Sequence, residues 1–223
     1  MLFADKIIDF YKNLELNNKL PKGVEVMNPF NEAEVIELVE KFYRKYYSDN
    51  NERILILGIN PGRFGAGITG IPFTDPIKLQ ENCKIENSFD KKSELSSIFV
   101  YKMINAFGSI EEFYSKFYIS SVSPLGFIKN GKNMNYYDSL SLQNALNEFI
   151  IESLQKQLNF GINRKICFSL GQGKNYQYLT KLNEKYIFFE KIIPLAHPRY
   201  IMQYKKKYLN DFIENFINNL SSI

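Results

Sequence analysis

The chain has 223 residues, 45% of them hydrophobic and 23% charged, which suits a water-soluble protein with a substantial buried core. A formal net charge of +4 permits a polyanionic partner without requiring one. Two distant cysteines, Cys83 and Cys167, are too few for a four-cysteine iron–sulfur cluster or a cysteine-rich zinc site, and two separate thiols are the expected state. The first residues, MLFADKIIDFYKN, lack a signal-peptide core, and no apolar run approaches the ~20 residues of a membrane span. A soluble cytoplasmic protein is therefore expected.

Residues 2–13 and 31–47 carry helical periodicity, the second with Val35, Leu38, Val39, Phe42 and Tyr43 behind Asn31 as an N-cap. Residues 53–59 read as a buried strand that runs into Gly58, Asn60, Pro61 and Gly62. The loop continues through Gly65, Gly67 and Gly70 to Pro72 and Phe73. Residues 75–93 are polar and irregular, a surface loop. A helix over 93–106 follows, stopped by Gly108. Residues 117–122 predict a second strand, 131–137 a loop, 138–158 a long helix and 165–170 a third strand. After Gly171 and Gly173 a helix begins near Asn175. Residues 186–193 predict a fourth strand before Ala196, His197 and Pro198, and a last helix runs from Arg199 or Tyr200 to Leu220. Strands alternating with helices predict an α/β fold with a mainly parallel sheet covered on both faces. Three of the four strands end in Gly, Pro, Asn or His, all on the edge where such sheets bind ligands.

The glycine-rich run is not a phosphate loop, because no Gly-Lys-Ser/Thr opens a helix after it. Gly58, Gly62 and Gly65 are also misspaced for a dinucleotide fingerprint. Asn60 reads equally well as a turn residue or as a catalytic carboxamide. His197 is the only histidine; a structural hydrogen-bonding role competes with donation to a developing anion. Arg199 and Lys205, Lys206 and Lys207 suit phosphates, or merely a solvated helix face. Phe73, placed after Pro72 at the end of a flexible loop, is better sited to stack on a base than to build core.

Gly58-Ile59-Asn60-Pro61-Gly62, then Phe64-Gly65 and Thr69-Gly70-Ile71-Pro72-Phe73, resembles the first motif of single-strand-selective monofunctional uracil-DNA glycosylases. The segment Ser123-Pro124-Leu125, the turn Gly171-x-Gly173 before a helix, and His197-Pro198 resemble later blocks of that family in the same order. The resemblance touches residues 53 to 205 and implies a three-layer α/β/α sandwich with a four-stranded sheet. It leaves the first 50 residues unplaced; one glycosylase-like domain over 1–223 is expected, with residues 1–50 packed on it as a helical extension. By position, Asn60 would orient the attacking water and His197 would stabilise the departing base. Gly58, Ile59, Pro61, Gly62, Phe64, Phe73 and Ser121 would form the base pocket. Arg63, Ser123, Pro124, Gly171, Gly173, Lys174, Pro198, Arg199 and Tyr200 would meet DNA.

The family has no metal or cofactor, so none is expected. Two departures matter: Ser121 stands where the family has a base-reading asparagine, and the C-terminal motif is shortened to His197-Pro198-Arg199-Tyr200. A hydroxyl cannot present the paired donor and acceptor of a carboxamide, so the base preferred stays open. The expectation is a monomeric monofunctional DNA glycosylase acting in base-excision repair on uracil or a related damaged base. A non-catalytic nucleic-acid or nucleobase-binding protein on the same fold is the alternative. A small-nucleotide-binding α/β protein is a third, weakened by the missing phosphate-loop signatures.

Overall fold

The computed structural model describes residues 1–222. Helix α1 (Phe3–Lys12) buries Phe3, Ile7, Phe10 and Tyr11 along one stripe. Strand β1 (Val24–Met27) follows, and Asn28 caps a 3-10 turn by accepting the Phe30 N–H. Helix α2 (Ala33–Tyr47) then leads to β2 (Arg53–Gly58). Two short helices, α3 (Ala66–Thr69) and α4 (Pro76–Glu81), and the longer α5 (Leu95–Phe107) come next. They are followed by α6 (Ile110–Lys116), β3 (Phe117–Ser121), β4 (Gly126–Lys129) and β5 (Lys132–Met134). The chain closes with α7 (Leu140–Leu158), β6 (Ile162–Leu170), α8 (Lys174–Tyr186), β7 (Lys191–Leu195), α9 (Pro198–Tyr204) and α10 (Leu209–Ser221).

Strands β3, β2, β6 and β7 form, in that spatial order, one all-parallel sheet, as an α/β sandwich requires. Strand alternation assigns its faces. Arg53 and Tyr118 meet Phe3 and Tyr47 of α1 and α2, whereas Phe117 on the opposite face meets Phe107 of α5. Helix α7 lies with α1, and α8 joins it through the Tyr178 hydroxyl, which donates to Asn147 Oδ1 at 3.0 Å. Helices α5, α9 and α10 pack on one another across the other face. A second, antiparallel sheet of β1, β4 and β5 sits above the carboxyl edge.

Arg53 is fully buried. Its guanidinium lies 4.7 Å from the ring centres of both Phe3 and Tyr47, and it grips Asp49 with two bonds of 2.7 and 2.9 Å. Nε also donates to the Tyr114 carbonyl at 2.8 Å. This clamp ties α1, α2 and α6 to the start of β2.

Several expected boundaries move for physical reasons. The loop expected over 75–93 contains α4, started by an Asp75 side chain that accepts from Lys78 N–H, with Pro76 at the first helical position. The loop expected over 131–137 contains β5. Strand β6 begins at Ile162 and not at 165, because residues 164–166 bulge out between the pairs Ile54–Asn163 and Leu55–Cys167. Tyr186 ends α8, where Ile187 turns left-handed at φ 51°, and the fourth strand is Lys191–Leu195. Pro194 is tolerated there because β7 is an edge strand. The last helix is two, broken at Lys205. Both cysteines are buried free thiols, and none of the described helices is long and apolar enough to cross a membrane.

Candidate active site

Asn60 stands two residues beyond β2, Ser121 ends β3, and His197 stands two residues beyond β7. All three therefore gather at the carboxyl edge of the sheet. They line one cleft of about 350 Å³, with Ile59, Pro61, Gly62 and Phe73 from the same glycine-rich loop. Arg199 and Tyr200 of α9 complete the set of expected residues that reach it.

The Asn60 carboxamide is fixed by backbone. Its Nδ2 donates to the carbonyls of Met134 (3.1 Å) and Pro61 (3.2 Å), and its Oδ1 accepts the N–H of Tyr136 at 3.0 Å. Two carbonyls on one side and an N–H on the other permit only one amide orientation. The oxygen keeps a second lone pair. Behind it, the buried Tyr136 hydroxyl donates to Asn175 Oδ1 at 2.9 Å, and Asn175 in turn donates to Ser169 Oγ and the Leu170 carbonyl. The expected loop over 131–137 is thus the buttress of the strand-two carboxamide.

His197 caps α9, its Nδ1 accepting the Arg199 N–H at 3.2 Å. The proton of the neutral ring is therefore on Nε2. Burial, reinforced by the Arg199 charge, lowers its pKa from 6.5 to about 4. The ring lies 6.0 Å from that of Phe73, centre to centre. Phe73 itself has φ 55°, an uncommon conformation for a bulky residue, which this crowded loop enforces. A side chain at Gly58 would begin 2.7 Å from the Phe73 ring, so Gly58 lies behind that ring and does not line the cleft.

Other expected contacts fall elsewhere. Phe64 is 41% exposed and lies under the Arg63 guanidinium at 4.7 Å, outside the cleft. The Arg63 guanidinium donates to the Gly131 carbonyl, and its main-chain N–H donates to Asn133 Oδ1 at 3.3 Å. Ser123 and Pro124 are buried, because the Ser123 hydroxyl turns inward to donate to the Leu125 carbonyl at 3.0 Å. Neither side chain is exposed. Pro198 is buried in the first turn of α9. Gly171 (φ 123°) makes a turn that bonds to the Leu195 carbonyl, and Gly173 precedes α8; neither lines the cleft. Lys174 faces a separate groove beside Tyr137.

The cleft also contains residues that sequence reasoning passed over: Glu94 and Ser96 at the start of α5, Asn133 and Asn135 around β5, and Gln203 and Tyr204 of α9. Ala66 and Pro72 lie within the glycine-rich motif and were within reach of it. A Cβ at Gly62 or Gly65 would lie 2.9 or 2.0 Å from a Glu94 oxygen, so these glycines make room for the carboxyl. Burial first, and then the neighbouring Asp75, raise the Glu94 pKa from 4.5 to about 7, with Arg199 opposing. Among the described residues, no group of three or more His, Cys, Asp or Glu is placed to hold a metal ion.

The profile of the Uracil DNA glycosylase superfamily matches residues 44–221. The crystal structure of wild-type SMUG2 from Pedobacter heparinus is similar over the whole chain, at 52% identity and a TM-score of 0.97, covering 100% of this chain and 98% of that one. With its four-stranded parallel sheet and its cleft at the carboxyl edge, the chain belongs to the uracil-DNA glycosylase superfamily, hydrolases that act on DNA.

Proposed function

We propose that the chain is a monofunctional DNA glycosylase that flips uracil, or a related damaged base, into this cleft and hydrolyses its N-glycosidic bond. One observation carries the reading. A locked Asn60 carboxamide with a spare lone pair shares a cleft with a neutral His197 whose proton is on Nε2.

Extrusion costs a few kcal/mol, least at mismatched or damaged positions, and stacking on Phe73 offsets part of it. As the C1′–N bond lengthens, its electron pair passes to the base. The His197 Nε2–H then hydrogen-bonds to the anion that forms. A neutral donor suits this task, since it holds the anion without surrendering its proton. The sugar becomes oxocarbenium-like. An amide is too weak a base to deprotonate water early, so Asn60 Oδ1 only aims the water. The C1′–O bond forms late, and the proton released ends on the departed base. On this reading the enzyme works as a cytoplasmic monomer in base-excision repair.

The test is incubation with oligonucleotides containing uracil, hydroxymethyluracil, xanthine or hypoxanthine, followed by alkali. Strand scission at one or more of these bases is expected; none, at high enzyme and long times, sinks the proposal. Ser121 supports one second reading, a DNA-binding protein without efficient chemistry, because its hydroxyl cannot read a base edge as a carboxamide does. That reading requires salt-dependent DNA binding that survives Asn60→Ala, with no base released.

A further inference from the structure

The second sheet ends in a basic tip that the chemistry at the base does not use. Strands β4 and β5 are joined by Asn130 and Gly131 alone, both left-handed at φ 50° and 69°, the two-residue turn that an Asn-Gly pair favours. Lys129 and Lys132 flank that turn as direct cross-strand partners, and both are exposed. Like charges in such a register destabilise a hairpin. Residues 126–137 carry these two cations and no carboxylate, and neither lysine forms an ion pair among the described residues. The tip is nonetheless tied down, since Arg63 donates to the Gly131 carbonyl through its guanidinium and to Asn133 Oδ1 through its main-chain N–H.

Strand alternation sorts the side chains of this hairpin by face. Asn133 turns to the glycine-rich loop and lines the cleft. Lys132 precedes it, so Lys132 and its partner Lys129 turn to the opposite face. Glu25, the one carboxylate of β1, stands opposite Ile128, whereas Val24 stands opposite Lys129, so the carboxylate is off the lysine face.

We propose that the β4–β5 tip grips the complementary strand of duplex DNA, Lys129 and Lys132 meeting its phosphates while the damaged strand lies over the cleft. The proposal rests on the reading of the cleft as the seat of the flipped base. The second backbone of a duplex runs a groove's width from the first, ~6 to ~12 Å. Cations beside the cleft but turned from it are placed for that second backbone rather than for the strand whose base is inside. A phosphate between the two ammonium groups also removes the repulsion that the bare hairpin carries. The competing role for such lysines is to stop an edge strand, which β5 is, from pairing with another sheet, and that role leaves DNA binding unchanged.

Fluorescence anisotropy over a series of salt concentrations tests it, with a labelled, undamaged duplex of about 20 base pairs and with its labelled strand alone. Replacing both lysines, Lys129→Gln with Lys132→Gln, is expected to weaken duplex binding roughly tenfold or more at about 0.1 M salt and to lower the slope of log affinity against log salt by about two. Single-strand binding should change less than about twofold, because the strand in the cleft does not meet these cations. The pair Lys129→Arg with Lys132→Arg keeps both charges and should bind the duplex as the parent does. Thermal melting and cleavage of a single-stranded uracil oligonucleotide, both unchanged, establish that the hairpin still supports Asn60. Equal losses on duplex and single strand, no loss on the duplex, or a parent chain that binds the single strand alone each overturn the grip. Because the probe carries no lesion, its outcome is independent of base release. Duplex binding lost in the glutamine variant of a chain that cleaves no lesion keeps the grip and removes the enzymatic reading; cleavage with duplex binding unchanged does the reverse.

Discussion

Asn60 spends three of its hydrogen bonds on its own backbone surroundings, so the one lone pair left over is held more rigidly than a free side chain could hold it. Asn60→Ala should therefore lose both water positioning and a local tether. Single-turnover cleavage of a uracil oligonucleotide is expected to fall roughly 100-fold or more, with a stability loss of about 1–3 kcal/mol from the stranded Tyr136 N–H. His197→Ala should reduce the rate by a similar factor with little change in denaturation midpoint, since it loses only a cap. Equal rates in parent and variants would exclude both roles. Two groups of the cleft with displaced pKa values, His197 and Glu94, predict a pH profile. His197, with its pKa near 4, stays neutral from roughly pH 5 upwards, so cleavage should not fall as pH drops through 6.5. Glu94 titrates near 7, facing Asp75 and Arg199. Its folded pKa exceeds the ordinary 4.5, so its contribution to stability is full below about 4.5 and is lost as pH rises through about 7. An ionised Glu94 also repels phosphate. DNA binding should tighten from pH 8 to 6, and Glu94→Gln should flatten that dependence and raise stability at pH 8; an unchanged profile in the variant would discount Glu94.

At the scale of elements, the start of β2 depends on a charge that has left water. Arg53 is fully buried, whereas the Asp49 side chain that neutralises it is 37% exposed. Removing the two partners should thus be unequal. Asp49→Ala leaves an uncompensated buried guanidinium and is expected to cost about 3–5 kcal/mol, more than Arg53→Met, which leaves a carboxylate that water can reach. Urea denaturation of the two variants checks the order, and the reverse order would deny the clamp its role. The four strands that bear the site were legible because buried parallel strands are near-continuous apolar runs such as Ile54–Leu57. Their terminal Gly, Asn and His marked the functional edge before any contact was known. The second sheet was not legible. Its strands have three or four residues, and β1 and β5 are mostly solvent-facing, so no periodicity betrays them. Asn60 found its partners in Met134 and Tyr136 through their backbone groups, 74 and 76 residues away. Backbone donors and acceptors leave no trace in residue type. Ser123 and Phe64 lie outside the cleft for a related reason: motif position gives a residue's place along the chain, but not the direction its side chain takes.

For the whole molecule, the superfamily profile begins at residue 44, whereas the structural match to SMUG2 covers the entire chain. The difference is informative about the first 50 residues. Helices α1 and α2 supply Phe3, Ile7, Tyr11, Val39, Tyr43 and Tyr47, all nearly inaccessible, to the face of the sheet that carries Tyr118. Tyr11 stacks on Phe30 at 4.4 Å, and Phe3 on Tyr47 at 5.7 Å, so the layer is knit by aromatic contacts as well as by area. Without it, Tyr118, Arg53 and the Arg53-facing side of β2 would meet water, and the guanidinium would lose both rings that lie 4.7 Å from it. Burying one large apolar side chain contributes about 1.5–3 kcal/mol, so losing six such residues removes about 9–18 kcal/mol, as much as the 5–15 kcal/mol total stability of an ordinary protein of this kind. We therefore expect residues 1–50 to fold with the remainder as one cooperative unit. The full chain should melt in a single transition, coincident by far-UV and near-UV circular dichroism. A chain lacking residues 1–50 should show no cooperative transition and should bind a hydrophobic dye. A truncated chain that melts sharply and still cleaves a uracil oligonucleotide would make those residues an accessory rather than a layer of the fold.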